Sequence, residues 1–358
     1  MSGQELTPHE RVKLALEHRK TDRIPISMVC SGIHQPAYGE LEELLQRERG
    51  IGVVEYLWPI LDIVPVYPSY IGPRFENRTD YWGVRRKKIS FEGGSYEDEI
   101  EYHPLADAAG VDDILKHPWP SADWFDYSKI PDKIERINAT GKHFIISGWG
   151  SIWEASWYMR GFEAALMDLM LNPELINCIM NNVAEFQIEF HRRILEAGKG
   201  DIDLIFCADD IGTQRGLMMS LDTIEANIAP YHARLNEMIH DHGARVIYHS
   251  DGGVMKAIPA LMEMGIDILQ PLQFDAAGME PETLKARYGD VLCFEGGVSV
   301  QKTLPLGTAD DVRQEVRELI RLLGSTGGYI LGPTHLIQAG TPARNILAMF
   351  DTALETEL

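Results

Sequence analysis

Residues suited to proton transfer or metal binding follow several short apolar runs of this sequence. In chain order they are Asp209, Asp210, His249, Asp251, Glu295 and His335. If these runs are parallel strands of a barrel, their carboxyl ends open onto one face, which holds the active site in such folds. Four strands that deliver histidines and carboxylates to one mouth therefore predict an enzyme.

His249 and Asp251 stand two residues apart at the end of the run 245–251. Side chains two apart on a strand point the same way. The pair can therefore bind a metal, or Asp251 can orient the imidazole for acid–base work. The alternative is a buried histidine with Asp251 in a turn before the next helix, because Asp before Gly-Gly is common in turns. His335 follows the run 328–332 and is a second candidate metal ligand or proton donor.

The other carboxylates are more ambiguous. Adjacent strand residues face opposite ways, so one of Asp209 and Asp210 points into the mouth while the other caps backbone groups. Glu295 lies within the run 291–296, before Gly296-Gly297, and is either a mouth carboxylate or an interior residue paired with a Lys or Arg. The candidate catalytic residues are Asp209, Asp210, His249 and His335.

Aromatic residues cluster after the third predicted strand, at Trp149, Trp153, Trp157 and Tyr158. They either wall a substrate pocket or seat the following helix on the barrel. Arg160 and Arg215 are cations near the predicted mouth, and each either binds a substrate carboxylate or is solvated. The candidate substrate-binding residues are Trp149, Trp153, Arg160, Arg215, Gln273 and Gln338.

Strand-like runs alternate with helical patterns along the whole chain. The predicted strands are 23–27, 62–67, 144–150, 204–210, 245–251, 266–271, 291–296 and 328–332. No Gly-rich dinucleotide fingerprint follows an early strand. The pattern therefore predicts an α/β fold, a single (β/α)8 TIM barrel over residues 1–358 with an N-terminal helical extension. It also predicts one helix over 221–240 and an inserted antiparallel hairpin over 80–103, with Gly93-Gly94 at its turn.

The composition narrows the class of protein. The 358 residues carry a formal net charge of −21, which argues against a non-specific nucleic-acid binder and against docking on an anionic membrane. No apolar stretch is long enough to span a bilayer, and the amino terminus lacks a signal-peptide pattern, so we expect a cytoplasmic protein. Cys30, Cys207 and Cys293 each follow an apolar run, and core positions are the favoured interpretation for them.

Several short motifs are informative because they occur together and in a fixed order along the chain. They are Asp22-Arg-Ile-Pro25, Asp209-Asp-Ile-Gly212, His249-Ser-Asp-Gly252, Gly265-Ile-Asp-Ile-Leu-Gln-Pro271, Gly296-Gly297-Val and Gly328-Tyr-Ile-Leu-Gly-Pro-Thr-His335. As a set, they resemble the uroporphyrinogen decarboxylase superfamily over nearly the whole chain. The resemblance implies a (β/α)8 barrel, in agreement with the strand pattern.

The superfamily contains two chemistries. True uroporphyrinogen decarboxylases carry an Arg-Gln-Ala-Gly-Arg loop that grips a substrate with eight carboxylates, whereas the corresponding stretch 28–36 contains no arginine. A polyanion site needs fixed cations, so uroporphyrinogen III is a poor candidate substrate. The resemblance therefore points to the branch of zinc-dependent methyltransferases. These move a methyl group between a small substrate or thiol and a corrinoid cofactor, often carried by a separate corrinoid protein.

In thiol-activating members of that branch, a His-x-Cys pair and a later Cys hold the metal. This chain has His249-Ser-Asp251 and His335 there. Such a nitrogen and oxygen set suits zinc and favours an oxygen substrate, such as a methoxylated aromatic or an alcohol. The candidate metal ligands are His249, Asp251, Glu295 and His335, with Asp209 as a further possibility. The resemblance also implies a homodimer.

Two other functions compete with this hypothesis. One is a metal-independent decarboxylase of a small carboxylated substrate, in which His335 and one Asp handle protons and Arg160 or Arg215 binds the carboxylate. The other is a non-catalytic binding protein, which would not need titrating groups converging at one mouth. Metal content separates the first alternative from the methyltransferase.

Overall fold

The computed structural model describes residues 5–29, 32–90 and 96–358. Its strands are β1 Ile63–Pro65, β2 Ser69–Tyr70, β3 Arg85–Ser90, β4 Tyr96–Tyr102, β5 Phe125–Asp126, β6 Phe144–Ser151, β7 Leu204–Ala208, β8 Gly212–Thr213, β9 Gly216–Leu217, β10 Arg245–His249, β11 Ile268–Gln270, β12 Cys293–Val298 and β13 Tyr329–Pro333. Seven of them form one parallel sheet in the order β1-β6-β7-β10-β11-β12-β13. The predicted α/β TIM-type fold is confirmed.

The predicted first strand, 23–27, is reduced to a single bridge between Ile26 and Leu331 of β13. On its other side, the Ile26 carbonyl accepts from Asp62 N at 2.9 Å, so this segment closes the ring between β13 and β1. A longer ladder does not form because Pro25 has no N–H and because the Asp62 carboxylate accepts from Ile26 N at 2.8 Å.

Helices surround the sheet. They are α1 Pro8–Leu16, α2 Gln35–Arg49, α3 Val53–Leu57, α4 Val111–Leu115, α5 Ile130–Ile137, α6 Trp153–Arg160, α7 Phe162–Leu171, α8 Pro173–Gly198, α9 Leu221–Asn227, α10 Ala229–Asp241, α11 Ile258–Glu263, α12 Pro281–Tyr288, α13 Thr303–Leu306, α14 Ala309–Leu319 and α15 Ala343–Glu355. The Thr7 hydroxyl and Glu10 carboxylate form a capping box that starts α1. The prediction of one helix over 221–240 was wrong: α9 ends at Asn227 and α10 carries Pro230 in its first turn, where proline is tolerated.

The hydrophobic core has two layers. The barrel interior is filled by inward-facing strand residues such as Ile146, Phe206 and Ile247, and Val12 of α1 packs with them. A larger layer lies between the outer faces of the strands and the helices, and α8 alone contributes ten buried hydrophobic residues to it. The alternation of side chains along each strand supplies both layers.

The predicted inserted hairpin consists of β3 and β4, which pair antiparallel. Cross-strand ion pairs join Lys87 to Glu99 at 2.9 Å and Arg85 to Glu101 at 2.7 Å. The Gly93-Gly94 turn and Cys30 lie outside the described residues, whereas Cys207 and Cys293 are buried. Among the described residues, no helix is both long and apolar enough to cross a membrane.

Candidate functional site

Three of the predicted site residues converge where β10 and β13 end. His249, Asp251 and His335 each offer one ligand atom, and these atoms all lie within 4.8 Å of one another. Across the described residues, this is the group of His, Cys, Asp or Glu side chains that is compact enough to hold a metal ion. The imidazole rings of His249 and His335 are 5.8 Å apart. We call these three residues the metal-ligand cluster.

The orientation of His249 is set by a buried glutamine. Its Nδ1 lies 2.5 Å from Oε1 of Gln270, the last residue of β11, and Gln270 is fully buried. A carbonyl oxygen can only accept, so Nδ1 carries the proton and Nε2 is left for a metal. This pattern, in which one ring nitrogen of a ligating histidine donates to a fixed acceptor, is usual at protein metal sites. Sequence reasoning missed Gln270, although its place at a strand end was a usable signal.

Asp210 lies beside the metal-ligand cluster. Its Oδ1 accepts from Asp251 N at 2.7 Å and is 3.8 Å from Nε2 of His249. Burial raises the pKa of Asp210, the cationic form of His249 lowers it, and the Asp251 carboxylate raises it. Burial also lowers the pKa of His335. Two carboxylates and two imidazoles thus share a partly dehydrated space, which a cation would stabilise.

Asp209 points away from this space. It is fully buried, and its carboxylate accepts from the backbone N–H groups of Trp153 and Glu154 at 2.7 Å each, and from Nε2 of His232 at 2.5 Å. It therefore caps the start of α6. The structure brings Asp210 to the metal-ligand cluster and leaves Asp209 in a helix-capping position.

Glu295 is deeper in the barrel than the sequence pattern suggested. The predicted strand ended at 296, but β12 continues to Val298. Glu295 is therefore about 10 Å below the strand end at roughly 3.3 Å per residue, and it does not join the metal-ligand cluster. It is fully buried and accepts a hydrogen bond from Ser27 Oγ. Burial raises its pKa to about 8, while hydrogen bonds from Ser27 and Gln270 oppose the rise.

A carboxyl group that the sequence analysis did not single out lies on the first turn of α6. Glu154 accepts from Tyr158 Oη at 2.9 Å, one helical turn further on. Burial raises its pKa to about 8, and the negative charges of Asp210, Asp209 and Asp251 add to the rise. Glu154 is therefore a protonated acid at neutral pH next to the acidic side of the mouth. The Glu154–Tyr158 spacing of four residues within the aromatic segment was the signal available in the sequence.

Trp149 and Trp153 of the aromatic segment lie in different surroundings. Trp153 is fully buried in the outer core layer, under α6, because it occupies the first helical position facing the barrel. Trp149 is 50% exposed, and its ring lies 4.8 Å from Phe206. Phe206 in turn lies 5.8 Å from the His249 ring.

Trp149 and Phe206 form part of a cavity of about 490 Å³ beside the metal-ligand cluster. Its other walls come from the segments around Met28, Leu57, Leu61 and Ile146 and from β1. We call this cavity the apolar chamber. Its volume lies in the range of small-molecule sites, about 300–1,000 Å³.

Neither of the two predicted carboxylate-binding arginines belongs to the metal-ligand cluster. Arg160 pairs with Asp168 at 2.7 Å and donates to the carbonyls of Leu105, Ala106 and Ala108, so its guanidinium is committed to holding that loop. Arg215 is exposed in the turn between β8 and β9.

The two predicted glutamines also differ. Gln273 is buried, and its Oε1 accepts from Gly252 N at 2.6 Å, so it holds the turn that follows Asp251. Gln338 is half-buried, and its carbonyl accepts from Thr341 N at 3.3 Å. Gln273 thus supports the metal-ligand cluster through the backbone.

A known protein family and a solved structure are similar to this chain. A family model described as uroporphyrinogen decarboxylase (URO-D) matches residues 100–356, whereas no curated protein matches the chain. A solved methyltransferase from Methanosarcina mazei has a TM-score of 0.68 at 18% identity, covering 98% of this chain and 99% of that one. A sugar phosphate isomerase/epimerase from Parabacteroides distasonis ATCC 8503 has a TM-score of 0.42 at 8% identity, covering 93% and 95%. The family match spans more than half of the sequence, and the chain belongs to the uroporphyrinogen decarboxylase family.

Proposed function

We propose that this protein is a zinc-dependent methyltransferase that moves a methyl group between a small oxygen-containing substrate and a corrinoid cofactor. The observation that carries the proposal is the metal-ligand cluster at the barrel mouth of a uroporphyrinogen decarboxylase family member. The fold likeness to the Methanosarcina mazei methyltransferase supports it. A corrinoid-carrying partner protein and a homodimer belong to the proposal through the family resemblance alone.

The residues present fit a catalytic zinc ion. Two imidazoles and one carboxylate are a three-ligand set of the kind found at catalytic zinc sites, which keep a fourth position open. The hydrogen bond between His249 and Gln270 supplies the outer partner that such sites need. His249, Asp251 and His335 would hold the ion. When bound, zinc would supply Lewis acidity toward the ether or hydroxyl oxygen of the substrate.

The chain's own groups account for the remaining requirements of the reaction. When a methyl group leaves an ether oxygen for the corrinoid, that oxygen must take up a proton. Glu154 holds a proton at neutral pH because burial raises its pKa to about 8, and Tyr158 orients it. Asp210 fixes the Asp251 backbone at 2.7 Å and so keeps the carboxylate ligand in place.

The alternative of a metal-independent decarboxylase gains no support from the arginines. Arg160 is committed to Asp168 and three carbonyls, and Arg215 is exposed in a turn. These two arginines therefore do not supply the fixed cation that this mechanism needs.

The test is metal content combined with methyl transfer. Protein purified without a His-tag or chelator is analysed by elemental mass spectrometry and assayed with methoxylated aromatics and a reduced corrinoid. We expect about one zinc per chain, lost in His249→Ala and His335→Ala. His240→Ala is the matched control, because His240 is exposed and pairs with Asp267. Asp267 directly precedes β11 and so lies at the end of that strand opposite the mouth. Protein that binds no zinc and transfers no methyl group would overturn the proposal and favour the decarboxylase.

A further inference from the structure

The apolar chamber differs from the rest of the mouth in its lining. Its walls include Met28, Leu57, Leu61, Ile146, Trp149 and Phe206, and none of the described residues that line it carries a charge. The polar side-chain groups among its lining residues are the hydroxyls of two tyrosines and the indole N–H of Trp149. A cavity of about 490 Å³ with these walls is suited to a flat hydrocarbon group.

The chamber adjoins the metal-ligand cluster. The Phe206 ring is buried and forms the shared wall, 4.8 Å from Trp149 on one side and 5.8 Å from His249 on the other. A ring bound in the chamber would therefore present a substituent toward His249. The chamber and the cluster are two parts of one site.

Charge decides which substrates the chamber can accept. A carboxylate moved into an uncharged apolar cavity loses its hydration, which costs several kcal/mol unless a cation pairs with it. Lys133 donates to the backbone carbonyl of Tyr67 at 2.7 Å, but it does not line the chamber. On the other side, Asp210 and Asp251 add negative charge.

We infer that the apolar chamber selects an uncharged aromatic ether and excludes carboxylated aromatic analogues. This inference rests on the proposed function and specifies its substrate class. The chamber takes the ring, and the ether oxygen faces the metal-ligand cluster.

The test compares two ligands that differ by one carboxylate. Binding of 2-methoxyphenol and of 4-hydroxy-3-methoxybenzoate to metal-free protein is measured by isothermal titration calorimetry at neutral pH. We expect the neutral ligand to bind at least about tenfold more tightly, with a negative heat-capacity change from apolar burial. Equal or tighter binding of the benzoate would overturn the inference, as would absence of binding by either ligand. Displacement of the neutral ligand by a cobalamin would also overturn it, by assigning the chamber to the corrinoid.

Variants that add a positive charge to the chamber test whether its walls cause the preference for the neutral ligand. Leu57→Lys places an ammonium at a half-buried wall position, and Tyr67→Lys places one at the exposed rim if the first variant does not fold. We expect either to reduce the preference for the neutral ligand by about tenfold, whereas Leu306→Lys, at a position 81% exposed and away from the chamber, leaves it unchanged. An unchanged preference in folded Leu57→Lys and Tyr67→Lys would overturn the inference. These measurements use metal-free protein. A preference for the neutral ligand in a protein that binds no zinc and transfers no methyl group would therefore contradict the proposed function alone.

Discussion

The two halves of the barrel mouth are built from different parts of the chain. The polar half contains Asp210 and the metal-ligand cluster, which lie at or just after the ends of β7, β10 and β13. The apolar chamber lies over β1 and β6 and is completed by residues of the first 61 positions, such as Leu57 and Leu61. Phe206 of β7 lies at their common boundary, 5.8 Å from the His249 ring.

This division assigns different tasks to the two halves. Titratable groups collect in the polar half, where burial and neighbouring charges shift their pKa values. The chamber contributes shape and desolvation without charge. If the division is functional, a change in the polar half should leave ligand binding in the chamber intact, and a change in the chamber should leave zinc binding intact. The exception is a change that unfolds α6, which joins the two halves.

The largest expected effect concerns that helix. Asp209→Ala removes the cap of α6 and the partner of buried His232, so we expect the free energy of unfolding to fall by about 3–5 kcal/mol, the cost of breaking a buried pair. Both halves of the mouth should weaken, because α6 carries Glu154 and follows Trp149. Urea unfolding measures the loss. Asp310→Ala, at a highly exposed site, is the control, and a similar small change in both variants would contradict the capping role.

Removal of one proposed ligand should separate the halves. His335→Ala is expected to weaken zinc affinity by more than about 100-fold, since even the loss of an outer partner costs 10–100-fold. Its affinity for 2-methoxyphenol should stay within about twofold of wild type, because His335 does not line the chamber. Competition with a zinc chelator and calorimetry provide the two values. A parallel loss of both affinities would break the division.

The positioning role of Gln270 predicts a smaller effect. Gln270→Ala leaves Nδ1 of His249 without its acceptor, and zinc affinity should fall about 10–100-fold. Gln314→Ala on the exposed face of α14 serves as the matched control. Unchanged zinc affinity in folded Gln270→Ala would remove Gln270 from the site, and Gln270→Glu, which keeps an acceptor, should recover most of it.

The last expected effect is gradual, a slope of the free energy of unfolding with pH. The folded protein keeps a proton on Glu295 up to about pH 8, whereas the unfolded chain loses it near pH 4.5, so stability falls as pH rises through this window. One such proton contributes a slope of about 1.4 kcal/mol per pH unit. Glu295→Gln should flatten the slope, whereas exposed Glu43→Gln should not. Urea unfolding of metal-free protein at several pH values tests this, and equal slopes in wild type and Glu295→Gln would contradict it.

Much of the fold followed from local patterns. Alternating apolar runs and helices predicted seven of the strands within a few residues, because both periodicities are local properties of the backbone. The structure brings His249 and Asp251 to His335, as the sequence predicted, but β10 ends at His249. Asp251 is therefore placed by the turn that Asp210 and Gln273 hold, and not by the two-residue repeat of a strand. The predicted 23–27 strand failed for a local and a nonlocal reason, since Pro25 has no N–H and the distant Asp62 side chain takes the Ile26 N–H.

The depth of a residue in the barrel was harder to predict. Glu295 looked like a mouth residue because its Gly-Gly neighbours suggested a strand end, but pairing with β13 extends β12 past them to Val298. The choice between Asp209 and Asp210 depended in the same way on a partner, the start of α6, that is more than 50 residues away along the chain.

The amino-acid sequence by itself determined the α/β class, the order of the strands and the set of polar groups at their carboxyl ends, because these depend on periodicity within a few residues. Only the tertiary structure decided which polar groups meet. It also created the apolar chamber, whose walls come from Met28 to Phe206 and whose shape no local pattern encodes. The physical reason is that a cavity and a ligand set are defined by distances between distant segments, which are fixed when the barrel closes and its core packs.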